Sequence, residues 1–109
     1  MERRVAPRIL EKEHLNDWRL MSLMAKWRKI FRKLTAGSLD IRFEDFILLL
    51  EKFGFVLDRT RGSHYIFVHP HIAELLSIQP RKDGKAKPYQ LRQFLKLLET
   101  YNIQPRDER

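Results

Sequence analysis

The segment FVLDRTRGSHYIFVHP, residues 55–70, constrains the fold of this chain more than any other. Two runs rich in β-branched and aromatic residues, FVLDRT and SHYIFV, meet through Gly62. Glycine turns a chain at no steric cost, and two such runs joined by a short polar link predict a β-hairpin. Strand alternation sends Tyr65 and Phe67 to one face and His64, Ile66 and Val68 to the other. The aromatic face is the one that helices should cover. His64 is then expected on the open face, at the mouth of the hairpin.

The flanking sequence supplies the cover. Phe46, Ile47, Leu49, Leu50 and Phe53 predict an amphipathic helix over 43–53, with Gly54 as its C-terminal stop. A second helix opens at Pro88, a favoured first-turn residue, and carries Leu91, Phe94, Leu95, Leu98 and Tyr101 on one stripe. Between hairpin and helix, HPHIAE reads as a turn, LLSIQ (75–79) as a third strand, and PRKDGKAKP (80–88) as a polar, basic loop. A further helix precedes all of these over about 15–34. Its apolar positions are Leu15, Trp18, Met21, Met24, Trp27, Phe31 and Leu34, with Asn16 or Asp17 near its start and TAGS (35–38) at its end. The expected fold is α+β: an α-β-β-β-α order in two layers, both helices on one face of a three-stranded antiparallel sheet, with an extra N-terminal helix. The expected division is a basic helical extension over 1–37, a domain over 38–103 and a tail over 104–109.

Composition narrows the chemistry. The 109 residues include no cysteine, which excludes disulfides and thiolate metal sites. The longest apolar run, FILLL, is far too short to span a bilayer, and the N-terminus has no apolar core of secretory type. A soluble, cytoplasmic protein with no membrane partner is expected. The net charge of +8 is concentrated at the two ends: residues 1–37 carry ten Lys/Arg against four Asp/Glu, and residues 81–109 carry eight against four. The middle is slightly acidic. Clustered basic charge on a small domain points to a polyanion, nucleic acid first and an acidic protein second.

The α-β-β-β-α order, with GFVLDRTRGSHYIFVHP, LLSIQP and GKAKPYQLRQFLKLLE in that sequence, resembles the HicA family, the toxins of HicA–HicB toxin–antitoxin pairs. The resemblance covers about residues 41–103. It implies a double-stranded-RNA-binding-like fold, mRNA cleavage as an mRNA interferase, and a HicB-like antitoxin that blocks the activity. The family's catalytic histidine lies in the G-S-H segment and maps onto His64. Two departures stand out. Tyr65 occupies the position where many members have a second histidine, and the leading helix has no counterpart in the compact form of the family.

The residues are consistent with that chemistry. RNA is cleaved without a metal or other cofactor when a base deprotonates a 2′-hydroxyl that attacks the adjacent phosphate and an acid protonates the leaving oxygen. Imidazole, with a reference pKa of about 6.5, suits either task. Arg61, Lys82, Lys85 and Lys87 are candidate phosphate contacts, and Gly62 and Ser63 belong to the same RNA-binding turn. The second acid/base is left open among His69, Tyr65 and Ser63. Blander roles compete at each position. Ser63 is a natural turn hydroxyl, and His69 with His71 forms a polar turn without the third ligand that zinc needs. The Trp18, Trp27 and Phe31 stripe is expected to pack on the body or on another chain, with base stacking as the alternative. The expected function is an endoribonuclease. The alternatives are a non-catalytic RNA-binding module and a protein-interaction domain. The sequence leaves the oligomeric state open.

Overall fold

The computed structural model of the chain describes residues 17–106. They form α1 (Asp17–Thr35), α2 (Phe43–Lys52), β1 (Val56–Arg61), β2 (His64–His69), β3 (Ile72–Ile78) and α3 (Pro88–Thr100). The strands make one antiparallel sheet in the order β1-β2-β3. This is the α+β arrangement read from the sequence, with α1 as the extra helix. No described helix is long and apolar enough to cross a membrane.

The hairpin closes with Arg61 paired to His64, leaving Gly62 and Ser63 as a two-residue turn. Gly62 has φ +58, and Ser63 is not among the residues of positive φ. A positive φ at the first turn position alone is the pattern of a type II′ turn, whose twist suits a hairpin. β1 is an edge strand, exposed along its length, and its pairing register shifts between Leu57 and Arg59. Such a bulge makes an edge a poor template for further strands. Two boundaries differ from expectation. β1 begins at Val56, because Phe55 turns into the core. β3 begins at Ile72 rather than Leu75, because His69 pairs directly with Ile72 and only Pro70 and His71 are needed to turn. Pro70 sits in that turn, where no ladder bond is lost.

Both α2 and α3 cover the Tyr65–Phe67 face. Phe46, Leu49 and Leu50 of α2 and Leu91, Phe94 and Leu98 of α3 meet Phe67, Leu76 and Ile78 of the sheet. The Phe94 ring lies 5.6 Å from Phe46, 5.7 Å from Phe53 and 6.0 Å from Phe55, in edge-to-face contacts. α1 belongs to the same core through buried Ile30 and Leu34. Trp27 and Phe31 pack on Phe53, with ring centroids 5.8 and 4.9 Å away. The packing role of the aromatic stripe therefore holds for these two, and their contact with Phe53 argues against base stacking. Leu15 and Asn16, and the side chains of Trp18, Met21 and Met24, lie outside the described residues.

Candidate functional site

The hairpin turn defines one end of the sheet, and His64 stands there with an exposed ring. Its cross-strand partner is Arg61. Directly paired residues share a face with Cβ atoms about 4.5–5.5 Å apart, so a guanidinium flanks the imidazole on the β1 side. On the β3 side, Ser77 Oγ lies 3.4 Å from His64 Nδ1. Ser77 pairs with Ile66, two residues along β2 on the same face as His64. Ser77 was not singled out from the sequence. The available signal was a polar residue between Leu76 and Ile78, which alternation assigns to the open face.

Three further segments arrive at this end. β3 stops at Ile78, opposite Tyr65, so the basic loop leaves the sheet one residue from the level of His64. The loop is held on both sides. Gln79 N–H donates to Oε1 of buried Gln90 (3.2 Å), tying it to the first turn of α3. Ala86 N–H donates to Ile41 O (2.8 Å) and Phe43 N–H to Gly84 O (3.0 Å), tying it to the start of α2. The Phe43 ring packs 5.3 Å from Tyr65. The N-termini of both covering helices therefore face the His64 end. They differ in charge. α2 has Glu44 and Asp45 in its first turn, which already complement its dipole, whereas α3 has no acid there and starts from Lys87 and Pro88. The positive end of α3 is the one left for an anion.

The candidate phosphate contacts divide accordingly. Among the described residues, Arg61, Lys82 and Lys87 have no acidic partner, and Arg61, Gly62, Ser63 and Lys82 are exposed. Lys85 differs: its Nζ lies 2.5 Å from Asp40 Oδ1. The Lys85 hydrogen bond, then its charge, holds the Asp40 carboxyl below the usual range, with smaller help from Lys33 and Arg81. Arg81 is itself bonded to Asp83 at 2.7 Å. Lys85 thus serves first to close the loop on the α1–α2 connection.

The candidates for a second acid/base fare differently. Tyr65 lies half-buried against Phe43, on the helix-covered face and away from the His64 ring. His69 is at the opposite end of β2 and buried. Its Nε2–H donates to Phe53 O (2.9 Å), and its Nδ1 accepts from His71 N–H (3.1 Å). Both nitrogens are engaged within the protein, so His69 is a core histidine and the HPH segment a polar turn. Ser63 remains next to His64 at the exposed tip of the hairpin.

The open face also carries apolar residues, beside Arg59, which pairs with Ile66. Val56 pairs with Val68, and Val56 and Leu75 are 55% and 50% exposed. Ile66, expected on this surface, is only 7% exposed. It occupies the central strand between Arg59 and Ser77, where neighbours on both sides cover it. The exposed apolar surface of this face is therefore formed by Val56, Val68 and Leu75, towards the opposite end of the sheet from Arg61 and His64.

A family model described as "HicA toxin of bacterial toxin-antitoxin" matches residues 43–99, just over half of the chain. The match spans α2, the whole sheet, the basic loop and nearly all of α3. No curated protein and no solved structure matches the chain.

Proposed function

The chain belongs to the HicA toxin family, whose members are the toxins of toxin–antitoxin systems, and on that premise we propose that it is an endoribonuclease that cleaves mRNA and is neutralised by a HicB-like antitoxin. The observation that carries this reading is the exposed imidazole of His64, flanked by Arg61 and Ser77 where the basic loop and the start of α3 converge. If His64 Nδ1–H donates to Ser77 Oγ, Nε2 presents its lone pair to solvent. That nitrogen takes the proton of a ribose 2′-hydroxyl. The freed oxygen attacks the adjacent phosphorus, the bond to the 5′-oxygen breaks, and that oxygen takes a proton from solvent water and leaves as a hydroxyl. The products are a 2′,3′-cyclic phosphate and a 5′-hydroxyl end. Arg61, Lys82 and Lys87 offset the charge that builds on the phosphoryl oxygens, as does the N-terminus of α3. The 2′-hydroxyl is thus the nucleophile, and no other cofactor is needed for the step. The antitoxin is assigned to the open face, where a protein seated on Val56, Val68 and Leu75 and reaching along β2 to the hairpin turn would exclude RNA from His64.

The test is RNA cleavage by the purified chain and by His64→Ala, with growth of cells expressing each. The parent is expected to cleave and to arrest growth, and His64→Ala to lose both by at least a hundredfold, the scale of one lost acid/base group. A 2′-deoxy substitution at the scissile nucleotide should abolish cleavage there. Cleavage by His64→Ala at the parental rate would refute the assignment. Salt-dependent RNA binding by a parent that never cleaves would favour a binding module instead.

A further inference from the structure

The family match begins at residue 43, so α1 lies ahead of it. α1 is nevertheless fixed in orientation by Ile30 and Leu34 in the core and by Trp27 and Phe31 on Phe53. From Ala25 to Thr35 it has five cations and no acid. Two of the five are occupied: Lys26 Nζ lies 3.6 Å from Asp45, and Arg28 sits over the Trp27 ring. Lys29 and Lys33, one turn apart, are among those without an acidic partner among the described residues. Together with Asp40, Ile41, Arg42 and Asp45 they line a groove of about 190 Å³. Both acids of the groove already have cationic partners, Asp40 in Lys85 and Asp45 in Lys26. Arg42 is paired with Glu44, so Lys29 and Lys33 are the cations in excess.

That groove borders the basic loop, which leaves the sheet at Ile78 near the His64 end. Asp40 senses Lys33 of α1 together with Arg81 and Lys85 of the basic loop. Arg42 is bridged to Lys85 along the backbone. Like charges at i and i+4 repel by a few tenths of a kcal/mol, a cost that a bound polyanion removes. The rise from Lys29 to Lys33 is about 6 Å, similar to the separation of neighbouring phosphates in a single strand.

Resting on the ribonuclease reading, we infer that α1 extends the RNA track of the site, with Lys33 and Lys29 contacting backbone phosphates of a single strand several nucleotides from the one at His64. The loop and hairpin alone would hold a short oligonucleotide, and α1 would add affinity for a longer one without reading its sequence.

The experiment measures binding in the His64→Ala background, which holds RNA without cutting it. A single-stranded 20-mer and a 5-mer are titrated by fluorescence anisotropy over a salt series, with and without Lys29→Gln plus Lys33→Gln. Each lost phosphate contact on a single strand lowers the slope of log K against log salt by about 0.7. The pair should flatten the slope for the 20-mer by about 1.4 and weaken its binding about 25-fold near 0.1 M salt. Binding of the 5-mer should change less than twofold, and the helical circular dichroism should be unchanged. An unaltered slope for the 20-mer overturns the inference, as does equal weakening for both lengths. RNA binding unaltered while neutralisation by the antitoxin is lost would assign the surface to a protein and overturn it too. Absence of cleavage by the parent, with length-dependent binding intact, would refute the ribonuclease reading alone. Absence of any RNA binding would refute both.

Discussion

Gly54→Ala should destabilise this protein far more than an ordinary turn glycine would. Gly54 follows α2 with φ +94, and an added Cβ would lie 2.9 Å from His69 Nε2 and 3.4 Å from its Cδ2. The ring has no easy retreat. It is held by Phe53 O and His71 N–H, and it stands edge-on to Phe55 at 4.9 Å. Forcing alanine into left-handed backbone costs about 1–2 kcal/mol. Pushing the imidazole off Phe53 O leaves buried polar groups unpaired, about 1–3 kcal/mol more. The reduced freedom of the unfolded chain returns about 0.4–1 kcal/mol. A net loss of about 2–4 kcal/mol follows, and at about 4–8 °C per kcal/mol Tm falls by roughly 8–30 °C. Gly62→Ala is the control. It also has positive φ, but an added Cβ meets nothing within 4 Å, so only the backbone cost of about 1 kcal/mol applies. A double-mutant cycle with His69→Ala isolates the contact. In that background Gly54→Ala should cost about 1 kcal/mol, measured from urea midpoints followed by circular dichroism. Equal costs for the two glycines in the parent, or no coupling between Gly54 and His69, would refute the steric account.

Ser77→Ala should lower kcat on RNA about three- to tenfold with little change in KM, the worth of one neutral hydrogen bond, and Ser77→Thr should restore it. Because the Asp40 carboxyl is held below its unfolded value by Lys85, its stabilisation is full above about pH 4 and is lost as pH falls through the lower folded value. Denaturant midpoints of Asp40→Asn and the parent should therefore differ at pH 7 and pH 5 by the same amount and converge towards pH 3. Phe94→Ala, which removes a fully buried ring from the centre of the aromatic cluster, should cost about 3–5 kcal/mol in urea unfolding.

Much of the candidate site is local and could be read without coordinates. The turn at Gly62, the placement of His64 at the start of β2 and the Pro88 start of α3 depend on residues within a few positions of one another. Alternation put His64 on the uncovered face, and the structure has it there. Ser77 escaped notice because its distance from His64 depends on the register of β3 against β2, set by the short turn at Pro70 and His71. The same kind of pairing decided Lys85, whose neighbour Asp40 lies 45 residues earlier and meets it through the Arg42–Lys85 bridge.

The amino-acid order determined the identities and order of the elements, because turn chemistry and hydrophobic periodicity act over one or two turns of chain. It also determined the charge that a partner must meet. Tertiary structure alone decided that the second histidine of β2, His69, is a structural post. His64 and His69 differ by an odd number of positions along β2, so alternation separates their faces, but burial against Phe53 and Gly54 follows only from how α2 ends beside the sheet. It also decided that α1 packs on α2 and Phe53, since an amphipathic stripe specifies that a helix must be covered but not by what.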